Sequence, residues 1–293
     1  MIERFMYVFG GEHEPRVPIG STVHRLDLET KEWSECKPIN DKPVPVNAAT
    51  VCSIGETIYI FGGRTGLTED EGPTNDMYSF NTKSNKWSKL ETSGDHPLAR
   101  SYHAMVALDN KLYVFGGCAE NSRMNDLYSF DVTCNRWERQ PNHDVIEARG
   151  GAGLVAVGGC VYVIAGFNGR EMNDVHKFDT VTKLWTTMSF QKSLPPRSVS
   201  GNATDGSNIV VICGEIDPSD EGHQGAGNFS NECFILNTIE PFEWVKVSVT
   251  GGVPEPRGWF PAAYCPIGKR FIIFGGNSDT NARLNDTYML EMM

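Results

Sequence analysis

An all-β fold, a six-bladed β-propeller, is what this sequence predicts, and three observations predict it. An apolar run ending in a small pair recurs six times: MYVFGG, IYIFGG, LYVFGG, VYVIAG, IVVICG and FIIFGG. A tryptophan follows each of the first five: Trp33, Trp87, Trp137, Trp185 and Trp244. The units repeat about every 50 residues, the period of a propeller array rather than of a single-copy fold.

Each unit reads as four short antiparallel strands, a to d. The apolar run is strand b. A polar loop follows, then strand c, as in NDMYSF, NDLYSF, NDVHKF, NECFIL and NDTYML. The tryptophan marks strand d. Strand a opens the next unit, as in SYHAMVALDN and GGAGLVAVGG. One such sheet cannot bury both its faces, whereas blades packed radially can. Glycine at the end of strand b permits a tight exit and close approach of backbone. The tryptophan supplies a large apolar surface between blades. These runs at this period resemble the Kelch family over the whole chain, which implies one propeller domain, 1–293. Its blades fall at about 1–42, 43–95, 96–144, 145–193, 194–253 and 254–293.

The pattern is uneven at its ends. The first unit shows strands b, c and d but no a, and the last shows a, b and c but no d. In Kelch propellers closed at the N-terminus an upstream segment supplies both, so a longer protein with about 30 further residues is expected.

Composition narrows the function. The 293 residues carry a net charge of −11, which argues against nucleic acid and against an anionic membrane surface as partners. No apolar run approaches the ~18 residues of a membrane-spanning helix. MIERFMYVFGGE leads straight into a strand and does not read as a signal peptide. The eight cysteines are scattered without a CxxC pair, as expected of free thiols in the cytoplasm. Three glycosylation sequons, at Asn202, Asn228 and Asn285, read as chance in that setting.

Antiparallel order places the loops after strand b and before strand a at one mouth of the disc. Glu12, Arg64 and Glu215 follow strand b; Arg100, Arg149, Arg197 and Arg257 precede strand a. Arginines there either pair with carboxylates to seal blades or grip an anionic ligand. Arg100, Arg197 and Arg257 fit sealing. Arg64 and Arg149 fit either role. Trp259 can roof a pocket or simply pack.

The stretch GEIDPSDEGHQGAG, 214–227, lies at the same mouth. It gathers Glu215, Asp217, Asp220, Glu221 and His223 within nine residues. One imidazole with carboxylates suits Fe(II), Mn(II) or a similar ion. An acidic surface loop without a ligand has the same composition.

FGGEHEPRVPI, FGGR, EARGGAG, GEIDPSDEGHQGAGNFSNE and PRGWF together resemble the plant specifier proteins, six-bladed Kelch proteins that divert glucosinolate aglucones to nitriles, epithionitriles or thiocyanates. The resemblance implies ferrous iron held by Glu-x3-Asp-x3-His, with arginines and a tryptophan holding substrate. On this chain it points to Glu215 and His223 for iron, and to Arg64, Arg149 and Trp259 for an unstable anionic, sulfur-containing small molecule. The middle acid of the motif falls on Ser219, with Asp220 beside it as a substitute ligand. Serine is a poor neutral ligand for Fe(II). A non-enzymatic Kelch scaffold, binding a protein segment at the same mouth, is the alternative. No catalytic residue is assigned.

Overall fold

The computed structural model describes residues 1–66 and 71–292, and of His223 the backbone alone. It is all-β: six sheets form the blades of a six-bladed β-propeller, and the one helical turn among the described residues is the 3-10 turn Gly222–Gln224. The chain divides into two compact units, Met1–Asn142 and His143–Met293.

The first unit holds three blades. The first has three antiparallel strands, Phe5–Phe9, Val23–Asp27 and Trp33–Cys36. The second has four: Thr50–Ile54, Thr57–Phe61, Met77–Asn81 and Lys86–Lys89. The third runs through Ala104–Leu108, Lys111–Cys118, Arg123–Asp131 and Arg136–Arg139, with Ser93–Gly94 added parallel to its last strand.

The second unit holds the other three. Gly153–Val157, Cys160–Phe167, Glu171–Asp179 and Trp185–Thr187 form the fourth blade. Gly201–Thr204, Asn208–Ile212, Cys233–Asn237 and Trp244–Val247 form the fifth. Ala262–Cys265, Arg270–Ser278 and Arg283–Glu291 form the last, with Arg257–Gly258 paired to the far end of its middle strand.

The apolar strand-b runs, such as Lys111–Cys118, Cys160–Phe167 and Asn208–Ile212, are buried on both faces and meet the strands of neighbouring blades. Within the first unit, Val23, Ile58, Ile60, Phe80 and Trp87 make one core, and Phe61, Leu112, Val114, Phe130 and Trp137 make another. Within the second, Val155, Tyr162, Ile164, Ile209, Val211 and Trp244 pack together, as do Val210, Ile212, Phe260, Phe271 and Ile273. The strand-d tryptophans pack toward the preceding blade. Trp87 lies 5.4 Å from Phe9, and Trp137 lies 4.9 Å from Phe61, between ring centroids. Trp33 has no preceding blade within its unit and is 43% exposed. The glycine pairs work as expected: Gly117 has φ +93, and a Cβ there would sit 2.7 Å from the Cβ of His103.

The arginines before strand a form one repeated device. Arg100, Arg149, Arg197 and Arg257 are all fully buried. In each, Nε donates to the carbonyl two residues back, and Nη1 donates to a carbonyl at the end of strand b of the same blade. The fork then meets a carboxylate near the start of strand c: Asp126, Asp174, Glu232 and Asp286 respectively. Of the two roles open to Arg149, sealing the blade and gripping a ligand, its burial and its pairing with Asp174 favour sealing. Asp174 takes both ends of its guanidinium, at 2.5 and 2.8 Å.

Candidate functional site

In the second to fifth blades the residue that follows the small pair bridges back to a residue just before strand a of its blade. Arg64 pairs Asn47, Cys118 pairs Ser101, and Glu215 pairs Ser198. The next residue after Asn47, Ser101 and Ser198 stands in the left-handed region: Ala48, Tyr102 and Val199. Trp259 occupies the same place in the last blade, with φ +62. This register brings the chemically distinctive side chains to equivalent positions.

In the first unit these are cationic. Arg64 donates through Nε to Glu71 at 3.0 Å, and Arg16 binds the same carboxylate oxygen. The hydrogen bonds from Arg16 and Arg64 hold the Glu71 carboxyl below its ordinary range. Tyr102 lies within the field of Arg64, Arg16 and Glu12, and burial pushes its phenol up to about 12. Burial also raises the Cys118 thiol, while Arg123 and Arg64 act to lower it. Arg64 thus stands among Arg16, Arg123, Tyr102 and Cys118. Arg123 escaped the sequence reading because its strand opens without a motif; only its place one residue past a bulged b–c turn puts it opposite Cys118.

In the second unit they are acidic. Gly214 turns with φ +105, and a Cβ on it would meet the Ser198 carbonyl at 2.8 Å. The chain then enters the short hairpin Glu215–Asp217 with Asn228–Phe229. Glu215 is 8% exposed. Burial lifts its carboxyl to about 7; the Gly227 N–H works against that and Asp217 adds to it. Removing a carboxylate from water disfavours its charge.

Beyond the hairpin the loop opens into a cavity of about 470 Å³ lined by Asp217, Ser219, Asp220, Glu221 and Gly225 to Asn228, with Pro218. Asp220 lies exposed on its wall. Asp217 accepts a hydrogen bond from Asn228 Nδ2 at 3.0 Å. Ser219 Oγ accepts the Glu221 N–H at 3.1 Å, so it serves the turn. His223 sits in the 3-10 turn, and its side chain lies outside the described residues. Among the described residues no three His, Cys, Asp or Glu groups gather at metal-ligand spacing.

Sequence reading missed Glu171. It opens strand c of the fourth blade and adjoins the Glu215 hairpin. Burial raises its carboxyl to about 8; the Ser198 hydroxyl works against the rise, and Glu215 and Asp217 add to it. Both Glu171 oxygens are shut off from solvent and have no hydrogen bond of ordinary geometry. Ser198 Oγ is equally without one, in a side chain only 1% exposed. Trp259 is 36% exposed, and its backbone N–H donates to the Val199 carbonyl at 2.9 Å.

Comparison with known proteins follows the same lines. The family model for the KLHDC2/KLHL20/DRC7 Kelch-repeats domain matches residues 1–214. The chain belongs to the Kelch-repeat family. Among Kelch relatives, it is 31% identical to "N-(sulfonatooxy)prop-2-enimidothioate sulfolyase" of Thlaspi arvense, over 97% of this chain and 88% of that protein. The likeness to that relative extends along nearly the whole chain. The Kelch match also reaches "Leucine-zipper-like transcriptional regulator 1 homolog" of Drosophila melanogaster, 26% identical over 98% of this chain but 30% of that protein. "Kelch domain-containing protein 3" of Bos taurus is 25% identical, over 95% and 59%. The solved structure of YjhT shares the fold, with a TM-score of 0.79 at 17% identity, over 100% of this chain and 93% of that one. No helix among the described residues is long and apolar enough to cross a membrane.

Proposed function

We propose that this Kelch protein binds a small anionic, sulfur-containing molecule in the manner its sulfolyase relative's name describes, and that the loop at 214–227 holds a divalent metal, Fe(II), through Glu215, Asp220 and His223. The observation that carries the metal reading is Glu215. A buried carboxyl raised to about 7 is costly in its charged form and gains from a cation. The orphaned oxygens of Glu171 beside it add to that demand. Glutamate, aspartate and imidazole are donors that suit Fe(II) and leave positions open. When bound, such an ion supplies Lewis acidity toward a leaving or rearranging group.

The residues of each unit have separate tasks. In the first unit Arg64 offers a guanidinium to a sulfate or carboxylate, and Arg123 adds positive field beside it. In the second unit Trp259 offers an exposed ring face for stacking. A cytoplasmic location belongs to the same reading, since unpaired thiols at all eight cysteines suit a reducing compartment.

Anaerobic Fe(II) titration of the whole chain tests the metal. Wild type should bind, and Glu215→Gln and His223→Ala should each weaken binding at least tenfold. Equal binding by all three proteins sinks the metal reading. The second reading is a Kelch scaffold that binds a protein segment without chemistry. One observation favours it: the middle position of the metal motif is Ser219, and its hydroxyl is spent on the turn.

A further inference from the structure

We propose that Glu171, from the neighbouring blade, supplies the carboxylate that the loop lacks at Ser219, and so completes the divalent-cation site begun by Glu215. This rests on the metal reading above and names a ligand that lies outside the loop.

The fourth and fifth blades meet at this point through the strand Glu171–Asp179 and the hairpin strand Glu215–Asp217. Glu171 sits opposite Phe167 at the b–c turn, and Glu215 holds the equivalent exit of the next blade through its bridge to Ser198. Glu171 therefore lies against the buried Ser198, whose backbone is bridged to Glu215, and stands within the field of the Glu215 carboxyl. A sealing role for Glu171 would require a donor, as the arginines give Asp126, Asp174 and Asp286. Glu171 has none of that kind: no arginine or lysine pairs with it among the described residues, neither oxygen has a hydrogen bond of ordinary geometry, and both are closed to solvent. The Ser198 hydroxyl lies against the same carboxyl and acts to lower it, without reaching ordinary hydrogen-bond geometry.

Buried polar groups are nearly always paired, and each exception calls for an explanation. Repulsion from Glu215 and Asp217 makes an uncompensated pair costly, and burial makes it costlier. A hard cation with oxygen ligands resolves all of these at once: it accepts Glu171 and Glu215 together, with Ser198 as a neutral neighbour. The loop's missing acid then has a physical substitute. Ser219 is free to stabilise the turn because the charge it would have carried comes from the next blade.

The experiment is anaerobic titration of the whole chain with Fe(II), and with Co(II) followed by its visible absorption. Wild type, Glu171→Gln, Glu171→Asp, Glu215→Gln and the double variant Glu171→Gln/Ser219→Asp are compared. Circular dichroism in EDTA checks that each is folded. Wild type should bind, and Glu171→Gln should lose at least tenfold in affinity and change the Co(II) spectrum. Glu171→Asp should also bind more weakly, because its shorter side chain withdraws the ligand while keeping the charge. The double variant should recover most of the loss. If wild type and Glu215→Gln differ but Glu171→Gln binds as wild type does, the loop holds metal without Glu171 and this proposal falls alone. If Glu171→Asp matches wild type while Glu171→Gln does not, Glu171 acts only as a distant charge and the proposal falls. If wild type binds neither ion, the metal reading falls and takes this proposal with it.

Discussion

Arg149 and Asp174 face each other through two parallel hydrogen bonds, with the arginine fully buried and the aspartate 31% exposed at its side chain. His176 Nε2 closes on the same carboxylate at 2.8 Å. Burial pushes the Asp174 carboxyl up, but the bonds from Arg149 and His176 outweigh it and hold the group below its ordinary range. Removing one partner of such a pair strands the other without compensation.

Arg149→Ala should therefore cost about 3 kcal/mol of folding stability, near the low end for a broken buried pair because Asp174 retains some solvent. Arg100→Ala, in the same device one blade earlier, should cost a similar amount. Urea denaturation gives both values. Neither change should alter sulfate binding measured by calorimetry. A protein that melts like wild type after Arg149→Ala, and has lost sulfate affinity, would return Arg149 to a ligand-binding role.

Arg64 differs from those four in what it touches. Its partner, Glu71, is shared with Arg16, so the carboxylate stays compensated if Arg64 is removed. Arg64→Ala should leave the melting temperature within a degree or two while sulfate affinity falls about tenfold, the loss of one charged hydrogen bond. Unchanged sulfate affinity would mark Arg64 as part of a surface ion-pair network only.

The contrast between Arg64 and Arg149 shows what the sequence made legible. Six repeats and their tryptophans led to the propeller because periodicity survives any change of loop. The role of Arg149 stayed open in the sequence because an arginine before strand a looks the same whether it points into the blade or out of it. The deciding partner, Asp174, lies 25 residues away on strand c. Glu171 was passed over for the same reason: nothing adjacent to it in sequence marks it, and its significance comes from Glu215 on the next blade. The loop at 214–227 was conspicuous because its chemistry is contiguous.

His103 gives a pH prediction in the first unit. Its ring is buried, meets Thr50 Oγ1 at 2.7 Å, and lies near Arg100. Burial, with Arg100 adding, depresses the imidazole to about 3. A histidine lowered in the folded state is neutral there and takes up its proton on unfolding, so it adds no instability above pH ~6.5. Stability is lost as pH falls from ~6.5 toward 3. In an NMR titration the His103 ring carbons should not move between pH 8 and 5. A midpoint near 6.5 would show that the ring is solvated.

Glu171 should act in the opposite direction. Its folded-state carboxyl is raised to about 8, mainly by burial, with Glu215 and Asp217 contributing. The unfolded chain gives up that proton near pH 4.5, so between about 4.5 and 8 the folded state holds more protons than the unfolded one. Stability of the metal-free protein must then fall as pH rises through this window, and the full penalty is present above pH 8. Glu215, raised to about 7, falls in the same sense and adds to it. Glu171→Gln keeps the shape and removes the charge. In EDTA at pH 9 it should gain about 2 kcal/mol, less than a full pKa-to-energy conversion because part of the surroundings remains wet. At pH 4 the side chain at 171 is neutral in folded wild type and largely so in the unfolded chain, and the two unfolding midpoints should nearly coincide. Scanning calorimetry at the two pH values reads the difference directly. A variant that is less stable than wild type at pH 9 would mean that Glu171 is already compensated by a donor in the metal-free fold, and the pressure toward a cation would be gone.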